Sequence, residues 1–354
     1  MIYLLNFLLV PLYYSIIRAI FPNKNADRIF FITVAIHAVL FRAMANPYVY
    51  VDTQGYSYAF ENIATMSLKE AVLLSHWSNW GQGYVALNWL ISRFTQDPRY
   101  LFVVLSILSV GGVMLFYRKT SETLLLTIML YLLYPMMYVM GFGVVRQHLA
   151  IVFVLWALYY INNLKISIPL IFIGISFHTT ALVFLPFYFI RNLNVKKMNS
   201  LRIVFFSIVG FLLMSLLVGY AISFFERYED VLEREGDSSN FAPVVFLGLT
   251  IVGLLITGAV HNIKDVRESM IVRYLIYGLI VAIFATTVPR AGRLPLYFLH
   301  CIPVAISVMY KYCNKANKLI VNAIVAIIFA LTAVMVYYAS AKYESYEFIW
   351  ESVI

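Results

Sequence analysis

Charge is scarce in this sequence: aspartate, glutamate, lysine and arginine make up 12% of 354 residues, against about 25% in soluble domains. That excludes an ordinary solvated globular surface. Cysteine is nearly missing. Cys301 and Cys313 form no CxxC pair, and Cys301 lies inside an apolar segment, so neither a disulfide framework nor a zinc site is expected. HExxH, DxD, GxGxxG and P-loop patterns are absent as well, which removes metallohydrolase and nucleotide-binding signatures. No metal ligand set and no cofactor are expected, and the acidic run RYEDVLEREGD reads as a solvated loop. There is no low-complexity tract and no obvious repeat.

What is abundant is apolar. Hydrophobic residues reach 62%, with a mean hydropathy of +0.84, and apolar stretches of roughly 18 to 25 residues run from Met1 nearly to Ser340, about the length a helix needs to cross the bilayer core. The fold class expected is all-α: one polytopic membrane helical bundle over 1–354, with no soluble domain. Met1 to Phe21 lacks a basic leading region and a small-residue cleavage site, so it is kept as the first helix. The other segments are 29–45, 83–95, 100–117, 122–140, 145–162, 166–190, 201–222, 241–261, 270–288, 294–310 and 319–341. Two polar excursions interrupt them, 46–81 and 224–240.

A net charge of +9 would suggest nucleic acid in a soluble protein. Here the basic residues sit mainly in short loops, where they set membrane orientation, and no nucleic-acid partner is expected. Arg18, Lys24 and Arg28 place the first loop in the cytoplasm and 46–81 outside. Arg191, Lys196, Lys197, Arg202, Lys264, Arg267, Lys311, Lys315 and Lys318 also fall inside, whereas 224–240, the N-terminus and the tail from Lys342 fall outside. The middle admits two solutions. If all twelve segments cross, Arg118, Lys119 and Lys165 lie outside and Arg146 faces the cytoplasm. If 83–95 and 166–190 are short or broken elements, those residues return inside and Arg146 comes out beside Asp52. Segment length favours the second, because 83–95 is short and 166–190 carries His178 at its midpoint. The expectation is about 10–12 membrane segments, including short half-inserted helices, whose free backbone groups need protein or a watery cavity.

Under that topology Asp52, Arg146, His178, Arg290 and Arg293 converge on one extracytoplasmic mouth. An ionisable side chain in or beside a membrane segment is costly unless it faces a cavity or a partner. Arg146 comes with Gln147 and His148 at the head of an apolar helix, and Arg290 and Arg293 flank a break between Pro289 and Pro295. Arginine's planar fork matches phosphate oxygens, so several at one site suggest a pyrophosphate, whose developing charge fixed cations stabilise. His178 or Asp52 is placed to accept a proton from an attacking hydroxyl, with Gln147 orienting one of them. Tyr56, Tyr58, Trp77 and Trp80 suit apolar stacking on sugar faces. Each has a plainer reading: interfacial anchor for an arginine, packing for a histidine, helix cap for Asp52, interface belt for the aromatics.

At these residues the chain resembles the EpsG family, the Wzy-like polymerases of bacterial surface polysaccharides. The resemblance rests on Asp52, Tyr56 and Phe60; on Gly81-Gln82-Gly83-Tyr84 leading to Leu87-Asn88-Trp89-Leu90; on Arg146-Gln147 with Ala150; on Phe177-His178; and on Arg293 to Pro303. Gln82 departs from the pattern, since the family usually carries glutamate there. If that carboxylate is catalytic in relatives, Asp52 or His178 must suffice here. The resemblance implies a GT-C-like glycosyltransferase, metal-independent, in the bacterial inner membrane. It would polymerise undecaprenyl-diphosphate-linked repeats of O-antigen or exopolysaccharide at the outer face, taking lipid-linked donor and acceptor glycans and working with a chain-length regulator. Arg146, Arg290 and Arg293 would bind diphosphate, with Tyr56, Trp80 and Tyr84 nearby. The rival readings are a flippase for the same lipid-linked sugar, which would need inverted repeats, and a membrane acyltransferase, which would need a histidine reached from the cytoplasm.

Overall fold

The computed structural model of this chain describes residues 2–21, 25–48, 51–78, 80–191, 241–288, 291–314, 317–342, 346 and 348. The expected segment 201–222 and the excursion 224–240 lie outside them. In chain order the main helices are α1 (Ile2–Ile20), α2 (Asn25–Ala43), α3 (Val51–Ala64), α4 (Leu68–Ser78), α5 (Gln82–Ser92), α6 (Pro98–Thr120), α7 (Leu124–Leu133), α8 (Val145–Tyr159) and α9 (Leu164–Phe177). They continue with α10 (Ala242–Ile256), α11 (Val266–Ala285), α12 (Ile302–Tyr312) and α13 (Lys318–Lys342). Among the described residues the sole β-type pairing is the isolated bridge between Ala45 and Phe348.

Four stretches are long and apolar enough to cross a membrane: Pro98–Thr120, Val266–Ala285, Ala291–Tyr312 and Lys318–Met335. With the shorter apolar helices between them, this is a polytopic helical membrane protein. Local chemistry fixes several starts. Asp97 caps α6 by accepting the Arg99 N–H at 2.9 Å, with Pro98 in the first turn. Asp265 likewise takes the N–H groups of Arg267 and Glu268. Ser67 and Glu70 close a reciprocal capping box ahead of α4. The excursion 46–81, expected as a polar loop, therefore carries two helices, and these pack with α5 around Ile63, Ala71 and Val85.

The chain divides into two compact units, Met1–Phe184 with Phe329–Ile354, and Leu185–Ile328. In the first, α6 and α8 run side by side, Gly112 letting Val152 approach and its carbonyl accepting the Trp156 N–H at 3.2 Å. Small residues at such crossings let membrane helices pack closely. α8 and α9 form a tight hairpin turned through Tyr160–Asn163, in which Phe153 stacks on Phe177. Within α1 and α2, Asn6 Oδ1 lies 2.5 Å from His37 Nε2 and Tyr13 Oη 3.2 Å from His37 Nδ1, so both ring nitrogens of the half-buried histidine have partners.

This unit has two distinguishable ends. At one, Arg118 near the end of α6 lies 5.0 Å from the ring of Phe31 in the first half of α2, at the same end as the Arg18–Asp27 ion pair. At the other, α2 finishes beside Phe142, and Tyr346 donates to the Phe41 carbonyl at 2.7 Å. The starts of α6 and α8 meet there too, since Phe102, Leu105 and Val145 line one shallow cleft with Arg42, Asn46 and Thr53. Arg118 thus stands at the α1–α2 loop end, and Arg146 at the opposite end.

In the second unit α10, α11 and α12 pack around Gly253, which abuts Met309, and Gly278, which abuts Phe298. Lys311 Nζ pairs with Glu268 Oε1 at 2.9 Å. Phe187 and Phe298 both pack on Tyr274, with centroids 5.1 and 4.5 Å from it.

Candidate functional site

Arg146 emerges from the first turn of α8, and the chain leading to it is tightly held. After α7 the backbone turns through Tyr134 and Pro135 into the 3-10 turn Val139–Phe142. Arg42, buried in the last turn of α2, donates its guanidinium to the Gly141 carbonyl and lies 5.8 Å from the Phe142 ring. A Cβ at position 141 would meet both the Arg42 guanidinium at 2.8 Å and His148 Nδ1 at 2.9 Å, so the close approach requires glycine. Gln147 and His148 are buried on the inner faces of α8. Arg42 is the site-adjacent charge that the sequence reading missed. Its signal was a basic residue closing an otherwise apolar helix, which reads equally well as an interfacial anchor.

The Arg146 side chain is half-buried in an aromatic enclosure. Its Nε donates to the Tyr56 hydroxyl at 3.2 Å. Its guanidinium carbon lies 5.3 Å from the Tyr56 ring centroid and 5.8 Å from those of Trp80 and Tyr84. The rings meet one another edge to face at 5.6 to 6.0 Å. A cation over an aromatic face is attracted by the ring quadrupole. The aromatics expected to stack on sugar therefore first surround the arginine.

His178 reaches the same end of the α8–α9 hairpin. Its N–H closes α9 on Gly174, then the backbone goes extended at φ −152° and ψ 121° and enters the 3-10 turn Thr179–Phe184. The segment expected at 166–190 is therefore broken at its histidine. Gly174 packs within ordinary contact of the Ala150 carbonyl, one turn beyond Arg146. Gly81 and Gly83 press onto Ser176 and Phe177 so closely that a Cβ at Gly81 would lie 2.8 Å from the Phe177 carbonyl oxygen. Tyr84, one turn on, reaches Arg146. Short α5 thus bridges the histidine-bearing and arginine-bearing helix ends.

Asp52 stands exposed in the first turn of α3, four residues and so one helical turn before Tyr56. Gln82 is exposed at the head of α5. His178 is partly buried, its Nδ1 2.6 Å from Thr180 Oγ1. Arg293 belongs to the second unit, exposed in the turn Ala291–Arg293. Arg290 and the side chain of Trp77 lie outside the described residues. The group assembled on the first unit is Arg146, Tyr56, Trp80 and Tyr84, with His178 and Asp52 at the same end. Among the described residues no three His, Cys, Asp or Glu side chains cluster as metal ligands. What the arrangement offers chemically is a fixed cation at the helix end that also carries a carboxylate and an imidazole.

Residues 28–350, nearly the whole chain, match the EpsG family. Neither the curated proteins nor the solved structures yield a match. The matched span includes each residue of the arginine, histidine and aspartate group described above, and the protein belongs to the EpsG family, whose members are Wzy-like polymerases.

Proposed function

We propose that this protein is a glycosyltransferase that polymerises oligosaccharide repeats carried on undecaprenyl diphosphate, at the outer face of the bacterial inner membrane. The observation that carries the reading is the enclosure of Arg146 at the helix end it shares with His178, against Tyr56, which follows Asp52 by one turn of α3. An acceptor hydroxyl attacks the anomeric carbon of the donor chain. As the new C–O bond forms, the bond to the diphosphate breaks, and the leaving group departs with the electron pair. A permanent guanidinium in a partly dry site stabilises that charge better than water does. The hydroxyl proton passes to Asp52 or His178. Gln147 is assigned to orienting the site from its buried position on α8, while the assignment of Arg290 and Arg293 to a diphosphate rests on the sequence alone.

Charge distribution supports the sidedness. Arg18, Arg28 and Arg118 mark one end of the first unit, and basic ends favour the cytoplasm. The Arg146 end then faces outward, where lipid-linked repeats are presented. GT-C likeness, metal independence and a chain-length regulator as partner belong to this reading.

The experiment is reconstitution in liposomes supplied with lipid-linked repeats already on the side the Arg146 end faces. Polymer of increasing length is the expected product. Movement of lipid-linked repeat across the bilayer without any lengthening would make the protein a flippase and overturn the reading.

A further inference from the structure

Tyr56 and Tyr58 lie two residues apart on α3, about 200° round the helix from one another, and they meet different surroundings. Tyr56 is buried and its hydroxyl accepts from Arg146 Nε at 3.2 Å, whereas Tyr58 is 61% exposed. Residues three apart on a helix are neighbours, so Asp52, Gly55, Tyr58 and Glu61 form one row, and all four are exposed. At about 1.5 Å per residue the row runs roughly 14 Å. Exposed Gln54 and Asn62 flank Tyr58. Tyr48 closes the far end: Gln54 Nε2 donates to its carbonyl, and its hydroxyl donates to Glu61 Oε1 at 3.4 Å. Asp52 stands at the near end, about 40° round the helix from Tyr56, on the border between the exposed row and the face that holds Arg146.

Gly55 is the residue in this row that packing does not ask for. A Cβ there would meet nothing within 4 Å, and the backbone is ordinary helix. Glycine in a helix interior weakens the helix relative to alanine, and its use is a bare backbone that a ligand can approach closely. The side chains around it name the ligand class. α3 has no lysine or arginine, so the row offers nothing to a lipid phosphate. Among its described residues the exposed side chains are amides, carboxylates and a phenol, which suits neither an acyl chain nor an apolar protein partner. A sugar presents hydroxyls that amides and carboxylates can bind and a C–H face that the amphipathic tyrosine ring can cover. We infer that the row Asp52, Gly55, Tyr58 and Glu61 is the subsite for the acceptor glycan, a neutral oligosaccharide lying on Tyr58 across the bare backbone of Gly55, with its attacking end towards Asp52. The inference rests on the polymerase reading for calling that glycan the acceptor. Donor diphosphate at Arg146 and acceptor sugars at Tyr58 then approach α3 from different sides and meet at its head.

The test uses the full-length protein in lipid nanodiscs and one probe, the oligosaccharide repeat released from its lipid diphosphate and tagged with a fluorophore at its reducing end. Without a diphosphate the probe can accept but cannot donate. Anisotropy reads its binding, and entry of the tag into polymer, with saturating lipid-linked repeat as donor, reads its use. Tyr58→Ala should weaken binding and raise KM for the probe by about tenfold, the scale of one aromatic contact, with most of the loss in KM and little in kcat. Tyr58→Phe keeps the ring and should recover most of that affinity. Gly55→Leu separates binding from folding. Leucine is the better helix former and the space above position 55 is open, so the variant should melt no lower than wild type while its side chain covers the row and binding falls at least as far as in Tyr58→Ala. Wild-type affinity in either Tyr58→Ala or Gly55→Leu, or no binding to the wild-type protein, overturns the inference. If the wild-type protein binds the probe through Tyr58 yet never builds it into polymer, the polymerase reading fails and the row stands as a glycan site. If the tag enters polymer with the same KM in wild type and variants, the row fails and the polymerase reading stands.

Discussion

Arg146 Nε donates to the hydroxyl of Tyr56 at 3.2 Å, tying the first turn of α8 to α3 across ninety residues of sequence. The bond holds the half-buried guanidinium against three rings. Separate substitutions should divide these contributions. Arg146→Ala should abolish polymer and leave single-repeat lipid-linked product, and Arg146→Lys should restore little, because an ammonium lacks the planar fork. Tyr56→Phe removes one hydrogen bond and should lower turnover roughly two- to tenfold, the effect of about 0.5–1.5 kcal/mol. Polymer length profiles on gels check all three. Wild-type lengths from Arg146→Ala would remove the central residue from the mechanism.

Gly81 and Gly83 make a steric prediction on the same cluster. A Cβ on Gly81 collides with the backbone carbonyls of Ser176 and Phe177, whereas one on Gly83 meets the Ser176 side chain. Backbone cannot rotate away, and a serine hydroxyl can. Gly81→Ala should therefore cost about 1–3 kcal/mol, separating α5 from the His178 end and depressing polymerisation with it. Gly83→Ala should cost less, and combining it with Ser176→Ala should recover part of the loss. Gly55, where an added Cβ meets nothing, is the control. Thermal unfolding in detergent ranks the four proteins. Equal melting temperatures for Gly81→Ala and Gly55→Ala would refute the packing argument.

Much of this arrangement is legible in the sequence, and the gaps have physical causes. Hydropathy alone yields the membrane class, and the histidine at the middle of 166–190 marks the break that the structure places at His178. Of the two helices inside 46–81, the first enters the sequence reading only as the plainer cap role of Asp52, and the second is hidden by net polarity although the Ser67–Glu70 box is a readable signal. The two middle topologies scored evenly on loop charge. Only the contact of Arg118 with Phe31 places that basic residue at the α1–α2 loop end. Tyr56, Trp80 and Tyr84 could be read as aromatic and near a site. Which face they cover depends on a cation more than sixty residues further along the chain, and no local pattern encodes that.

Asp97 gives the protein an acid-sensitive joint outside its membrane segments. The side chain of Arg99, bonded to both carboxylate oxygens, holds the Asp97 carboxyl below its ordinary range, and the Arg99 backbone N–H adds to the effect. A group whose folded value lies below its unfolded value, about 3.9 for aspartate, stabilises the fold fully above that unfolded value. The contribution fades as pH falls through the folded value. Asp97→Asn keeps the cap, since asparagine serves nearly as well, but removes the charge. Melting temperature measured from pH 7 down to 3 should fall less steeply in the variant. Parallel curves would show that the Arg99 pairing contributes nothing to folding, as many exposed pairs do not.

Arg42 calls for a different outcome from Arg146, because it is 4% exposed and holds backbone. Its guanidinium bridges the end of α2 to the Gly141 carbonyl, five residues before Arg146, with the Phe142 ring beneath. Removing it strips a donor from a buried carbonyl, which costs about 1–3 kcal/mol, and frees the 3-10 turn that sets where α8 begins. Arg42→Ala should therefore lose stability and polymerisation together. Arg146→Ala should lose polymerisation with its melting temperature nearly unchanged, since its side chain is only half-buried. Arg42→Lys keeps the charge and loses the fork, so it should fall between wild type and alanine in both measurements. Side-by-side melting curves and polymer assays separate a residue that holds the site from one that acts in it. An Arg42→Ala protein that melts normally yet makes no polymer would move Arg42 from the first group to the second.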